Sequence, residues 1–93
     1  MLTKEEALLL ISKRLEQSSA ADNPLAVVDK STIEKPFGWV FFFNTKKFLD
    51  TGISEYRIVG NGPIIVNKHT GAIKVCVSYK TVEESIKEYE STL

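Results

Sequence analysis

The sequence predicts an α+β domain, an antiparallel β-sheet of about four strands with one helix near each end of the chain, in two layers. Apolar residues recur with helical spacing near both ends of the 93-residue chain, whereas the middle contains short β-branched and aromatic blocks. Glycine, proline and asparagine separate these blocks. The sequence contains no internal repeat or linker, so residues 1–93 are expected to close on one core as a single domain.

Both predicted helices begin with a capping box, in which a threonine and a glutamate three residues later satisfy backbone N–H groups at a helix start. The two pairs are Thr3 with Glu6 and Thr81 with Glu84. The apolar face of the first helix consists of Ala7, Leu8, Ile11 and Leu15. The apolar stripe of the second consists of Val82, Ile86, Tyr89 and Leu93. The first helix should end within residues 18–24, which are rich in turn formers.

The first strands are predicted from short apolar runs between turn signals. Residues 25–34 should form one strand that becomes solvated towards its end, and residues 36–38 should turn the chain. Residues 39–43 are apolar on both faces, which indicates a central strand. Residues 44–50 indicate a brief helical turn, which Thr51 and Gly52 close.

A β-hairpin is predicted after residue 60. The turn-forming residues that set it up are Gly60, Asn61, Gly62, Pro63 and Gly71. Residues 64–66 and 72–77 are the strands, and the loop between them should hold its glycine in a left-handed conformation. We expect these turn residues to have an architectural role.

Charge, cysteine content and hydropathy exclude several classes of function. The chain has 12 basic and 12 acidic residues, so no net field favours a nucleic acid or an anionic membrane. Cys76 is the single cysteine and cannot form an internal disulfide, and the sequence begins without a signal-peptide pattern. The apolar runs are shorter than the ~20 residues that cross a bilayer. We therefore expect a cytoplasmic protein without a nucleic-acid or membrane partner.

The sequence also lacks a catalytic or metal-binding constellation. A structural zinc site needs about four Cys or His ligands, whereas this chain offers His69 and Cys76, expected at the tip and on the return strand of the hairpin. The Gly60-Asn61-Gly62 segment is not a phosphate loop, because Ile65 replaces the third glycine and no helix follows. We predict no enzymatic activity, no catalytic residue, no metal and no cofactor. A small enzyme would require a pocket of convergent polar groups that the sequence does not reveal.

The remaining candidate sites are surfaces that bind a protein. If both helices cover one side of the sheet, the other side exposes either Trp39, Phe41 and Phe43 or Val40 and Phe42, unless the loop with Phe48 and Leu49 covers it. Leu9 projects onto the polar side of the first helix. The candidate partner contacts are Leu9, Trp39, Phe41, Lys46 and Lys47.

The order of several short motifs resembles a known family. The motifs are Gly38-Trp39, Phe48-Leu49-Asp50-Thr51-Gly52, Gly60-Asn61-Gly62-Pro63-Ile64-Ile65-Val66, Thr70-Gly71-Ala72-Ile73 and a helix containing Tyr89. Over about the last two thirds of the chain, they resemble the YrhB-like, immunity protein 35 family. The resemblance implies a small bacterial cytoplasmic protein of a polymorphic toxin system, which binds a cognate toxin and blocks it.

The resemblance leaves one alternative function open and carries no catalytic residue over to this chain. The YrhB branch of the family implies a chaperone-like protein, which would bind unfolded clients through an apolar sheet face. Both functions require a protein partner, and the chain is expected to act as a monomer or a homodimer. Selective binding of one toxin favours the first function, whereas promiscuous suppression of aggregation favours the second.

Overall fold

The computed structural model describes residues 1–18, 22–58 and 62–93. In these residues the elements are α1 (Lys4–Ser18), β1 (Leu25–Val27), β2 (Ile33–Lys35), β3 (Gly38–Phe41), β4 (Phe43–Thr45), α2 (Lys46–Thr51), β5 (Ile64–Asn67), β6 (Ile73–Val75) and α3 (Val82–Ser91). Two 3-10 turns lie at Asp29–Ser31 and Ser54–Tyr56. Gly60 and Asn61 of the predicted turn lie outside the described residues. No helix of the described ranges has both the length and the hydropathy to cross a membrane.

The strands form one antiparallel sheet in the order β2-β3-β5-β6, and β1 pairs with β4 beside it. The prediction of a single strand over residues 25–34 is wrong, because a 3-10 turn divides this segment. Val27 lies opposite Phe43 and Ile33 opposite Val40, so five residues, 28–32, face only two, 41 and 42. The extra residues form the 3-10 turn Asp29–Ser31. The turn acts as a large bulge in one long two-stranded ribbon, in which β1 and β2 run antiparallel to β3 and β4.

The aromatic block at residues 39–43 also divides, at Phe42, into the end of β3 and the start of β4. As predicted, β3 is central, because it lies between β2 and β5. Side chains alternate along the block. Trp39, Phe41 and Phe43 pack in the cluster that contains α1, whereas Val40 and Phe42 pack in the cluster that contains α3.

The two long helices lie on opposite faces of the sheet. On one face α1 packs Ala7, Ile11 and Leu15 against the sheet, and on the other α3 packs Ile86. The α+β class, the four-stranded antiparallel sheet and the helix near each end are confirmed. The layering differs from the expected two layers, because β3 and β5 are buried along their whole length and therefore need cover on both faces.

Local signals at the ends of the elements are confirmed. In the first capping box the backbone N–H groups of Thr3 and Glu6 donate to the side-chain oxygens of the other residue, at 3.0 and 3.2 Å. Thr81 and Glu84 repeat this exchange at the start of α3, at 3.2 and 3.1 Å. Gly52 ends α2 in the left-handed conformation, with φ 71°.

The predicted hairpin of β5 and β6 is also confirmed. Its loop ends at Gly71, which has φ 75°. The Asn67 Oδ1 atom accepts bonds from the backbone N–H groups of His69 and Thr70, at 2.9 and 3.1 Å. Asn67 thereby stabilises the loop with its own side chain.

Candidate partner-binding groove

An open groove of about 1120 Å³ lies on the α3 side of the sheet. Its apolar floor comprises Val28, Ile33 and Phe42. On one side it is bounded by Phe48 and Leu49 of α2, and on the other by Val82 and Glu83, the first two residues of α3. The groove exists because α3 covers Val40 and Ile65 but begins beside Phe42, which is only partly buried. We call this feature the α2–α3 groove.

Two buried polar side chains of β4 hold the segment that runs from α2 to Ile58 and forms one wall of the groove. The Asn44 side chain bonds both backbone groups of Ile58, donating to its carbonyl at 3.3 Å and accepting from its N–H at 3.0 Å. The Thr45 hydroxyl donates to the Tyr56 carbonyl at 2.6 Å and accepts from the Phe48 N–H at 3.1 Å. Thr45 is completely buried, so this wall is attached through bonds that exclude water.

Sequence reasoning missed Asn44 and Thr45 as residues that build the site. A signal was present, because Thr45 immediately precedes a helical turn and accepts a bond from the third residue that follows it. The reach of both side chains to residues 56–58 was not visible, because no local pattern connects segments separated by more than ten residues. These bonds position the apolar side chains of α2 beside the floor.

The rim of the groove carries charges. Lys30 lies on the 3-10 turn that divides the ribbon, Arg57 follows the second 3-10 turn, and Glu83 is in the first turn of α3. Among the described residues, none of these three side chains forms a salt bridge within 4.0 Å. An apolar floor with a charged rim is the typical arrangement of a protein–protein interface.

The lining of the groove contains few polar side chains. They are Lys30, Ser31, Asn44, Arg57 and Glu83, and the lining contains neither histidine nor cysteine. In the described ranges no group of three or more His, Cys, Asp or Glu side chains is arranged to hold a metal ion. The geometry suits contact with a macromolecule.

Two of the five predicted contact residues are buried. The exposed fractions of Trp39 and Phe41 are 5% and 0%, because α1 lies over both side chains. Of the two alternative sheet faces, the one with Trp39 and Phe41 is therefore covered, and these two predicted contacts are not accessible to a partner. The alternative face, which contains Phe42, is the one that opens into the groove.

The other three predicted contacts lie on the surface at two separate places. Leu9 is 68% exposed on α1. Lys46 and Lys47 are exposed in the first turn of α2, the helix that forms a wall of the groove. Lys46 forms a 3.5 Å salt bridge with Asp50, and the Lys47 Nζ atom lies 5.7 Å from the centre of the Tyr56 ring. The lysine pair is thus beside the groove wall, whereas Leu9 belongs to a different element.

The histidine and the cysteine lie in different parts of the hairpin. His69 is exposed in the loop, and Cys76 is buried after β6. Burial raises the pKa of the Cys76 thiol, so the nucleophilic thiolate is disfavoured. A Cβ at Gly62 would meet the Cys76 carbonyl oxygen at 2.1 Å, and Pro63 accepts a 2.9 Å bond from the Cys76 N–H. These contacts join the start of β5 to the end of β6.

Comparisons with known proteins cover nearly the whole chain. A family model described as immunity protein 35 matches residues 5–90. The chain is 31% identical over 90 residues to the uncharacterized protein YrhB of Escherichia coli strain K12, which covers 97% of this chain and 90% of that protein. No solved structure matches the chain. The family match includes every residue that lines the groove.

Proposed function

The chain belongs to the immunity protein 35 family, and we propose on this basis that it binds one cognate bacterial toxin stoichiometrically and blocks it through the α2–α3 groove. The observation that carries the proposal is the family match over residues 5–90. In this role the protein acts in the cytoplasm and needs no catalysis, because an immunity protein of this kind works by occupying its partner. Its selectivity would come from the shape and charge of the groove.

The lining of the groove supports its assignment as the toxin-binding surface. Phe42 and Phe48 supply aromatic surface at its floor and wall, and Leu49 is 37% exposed beside them. Aromatic side chains in concave patches contribute strongly to protein interfaces. A toxin loop that inserts an apolar side chain here would bury this surface.

The rim charges indicate the chemistry of that loop. Lys30 and Arg57 approach the groove from two separate 3-10 turns, and no salt bridge within the described residues satisfies either of them. A carboxylate of the toxin beside its apolar side chain would pair with these cations. Glu83 on the opposite side would favour a basic residue of the toxin at that end of the groove.

The test is co-expression with candidate toxins encoded near the gene, with bacterial growth and co-purification as readouts. Wild-type protein should restore growth in the presence of one toxin and form one stable complex with it. Leu49→Asp and Arg57→Glu change exposed lining residues and should weaken the complex at least tenfold, the loss expected from about 1.4 kcal/mol. Isothermal titration calorimetry measures that loss, and circular dichroism verifies that the variants are folded.

Matched control variants lie away from the groove. Leu9→Asp makes the same type of change on α1, and Lys87→Glu makes a charge reversal on an exposed position of α3. Both should bind the toxin like the wild type. Loss of binding only in the Leu9 variant would move the interface to the outer side of α1. Failure to bind or neutralise any toxin, combined with suppression of aggregation in unrelated clients, would instead support the chaperone-like function.

A further inference from the structure

The two edge strands of the four-stranded sheet differ in how they are protected. The edges are β2 and β6. In β2 two of the three residues are charged and Pro36 follows, features that discourage pairing with another strand. The β6 edge instead exposes Val75 and, just after the strand, Val77, at 53% and 40%. An exposed apolar edge is a template for further strand pairing.

The hydrogen bonds of the hairpin show which backbone groups of β6 point outward. The Ala72 carbonyl accepts from Asn67 and the Cys76 N–H donates to Pro63, both at 2.9 Å. In an antiparallel pair, bonded and non-bonded residues alternate along the strand. Ile73 and Val75 are therefore the residues whose N–H and C=O groups point away from β5, towards the open edge.

We propose that β6 pairs with β6 of a second copy of this chain, antiparallel and around a two-fold axis at Val75. In this register the two Val75 residues exchange backbone N–H···O bonds, and Ile73 of each copy faces Val77 of the other. Val75 lies opposite Ile64 in the hairpin, so its side chain is on the α1 face. The valines of both copies then form one continuous apolar stripe on that face and cover each other.

The opposite face of the edge places no like charges directly opposite each other in the same register. Lys74 and Cys76 point to the α3 side, and the two-fold axis places Lys74 of one copy opposite Cys76 of the other. Glu88 lies on the same face and forms a salt bridge with Lys80 of its own copy. The formal net charge of zero also means that two copies do not repel each other at long range.

The pairing is compatible with the proposed function and does not depend on it. None of the residues that line the α2–α3 groove belongs to β6, so the groove of each copy stays accessible to a toxin. The edge is removed from solvent by a closed two-fold arrangement, which limits growth into longer assemblies through this strand.

Sedimentation equilibrium of the wild-type chain and of Val75→Pro tests the proposal. Because the Val75 N–H points to the open edge, proline there removes a bond to the second copy and none to β5. The wild type should dissociate from dimer to monomer on dilution, and Val75→Pro should raise the dissociation constant at least tenfold. Leu9→Lys is the matched control, because it also changes an exposed apolar residue, 68% exposed, and should dimerise like the wild type.

Amide hydrogen exchange on the wild type keeps the test decisive if the proline variant fails to fold. The Ile73 and Val75 amides should exchange more slowly as protein concentration rises, whereas the Lys74 amide, which points to β5, should not change. A wild type that is monomeric at every concentration overturns the proposal. Protection of Ile73 and Val75 that appears only when a toxin is added also overturns it, in favour of a partner strand on this edge.

Discussion

Replacing Thr45 with valine tests how the wall of the groove is held in place. Valine has nearly the shape of threonine but lacks the hydroxyl that accepts from the Phe48 N–H and donates to the Tyr56 carbonyl. Because Thr45 is fully buried, no water replaces the hydroxyl at that position. The start of α2 and the second 3-10 turn should both loosen.

The magnitude follows from the two bonds that are lost. Loss of a helix N-cap costs about 1 kcal/mol. Leaving a carbonyl without its partner costs roughly 1–3 kcal/mol, and the lower part of this range applies because Tyr56 is 41% exposed. The free energy of unfolding should therefore fall by about 2–3 kcal/mol, which lowers the melting temperature of a domain of this size by about 10–20 °C.

Thr45→Ser is the matched control, because it keeps the hydroxyl and removes only a methyl group. Its cost should be about 1 kcal/mol, from lost apolar burial and a small cavity. Urea denaturation of both variants measures the difference. A valine variant that loses no more stability than the serine variant would show that the two hydroxyl bonds do not hold the wall.

Three further predictions concern the core and the hairpin. Gly38→Ala should lower the free energy of unfolding by more than about 3 kcal/mol, since φ is 148° and a Cβ would meet a backbone oxygen at 2.0 Å. Gly52→Ala should lower it by only about 1 kcal/mol, because φ is 71° but no atom lies within 4 Å of the added Cβ. Similar losses of the two variants in urea denaturation would contradict the predicted clash at Gly38. Tyr89→Phe removes the hydroxyl that accepts a hydrogen bond from the Asn67 amide at 3.1 Å, and it should lower the free energy of unfolding by about 1 kcal/mol in thermal denaturation. An unchanged melting temperature would show that this hydrogen bond contributes nothing to stability. Burial raises the pKa of the Cys76 thiol above its ordinary 9.0, so the contribution of the thiol to stability is present below that value and declines as pH rises through the folded pKa. The wild type should therefore lose stability more steeply than Cys76→Val at alkaline pH. Native protein should also react with iodoacetamide far more slowly than unfolded protein.

The helix boundaries were predictable because their signals are local. The capping pairs of α1 and α3 lie within three residues of each other, and the glycine that ends α2 follows the helix directly. Such patterns act through neighbouring backbone groups, so they operate before any tertiary structure forms. The hairpin of β5 and β6 was predictable for the same reason, because its loop is stabilised by its own residues.

The division of residues 25–34 was not predictable, because it depends on a distant partner. The surplus residues of the 3-10 turn are defined only by the register of β1 with β4 and of β2 with β3. Within the segment itself, the apolar residues fit one strand as well as two. The bulge becomes visible only when both strands of the ribbon are aligned.

Alternation correctly indicated which residues of the aromatic block share a face, but not which face stays open. Trp39 and Phe41 point one way and Phe42 the other in any strand. The outcome depends on the side on which each helix returns, and α1 covers the first face while α3 covers only part of the second. The alternation within residues 39–43 therefore identifies two possible open faces of the sheet, and it does not indicate which of them forms the floor of the groove.

The zero net charge of the chain coexists with a local excess of positive charge at the rim of the groove, where Lys30 and Arg57 outnumber the one carboxylate, Glu83. Elsewhere in the described residues, three of the twelve basic side chains of the chain, Lys4, Lys46 and Lys80, form salt bridges with carboxylates. Lys30 and Arg57 form no such pair and stand over an apolar floor. Charges next to a surface that loses water on binding interact more strongly than charges in bulk solvent. Under the proposed function, these rim charges favour one acidic group on a shape-matched protein, whereas the zero net charge of the chain gives no preference for a polyanion.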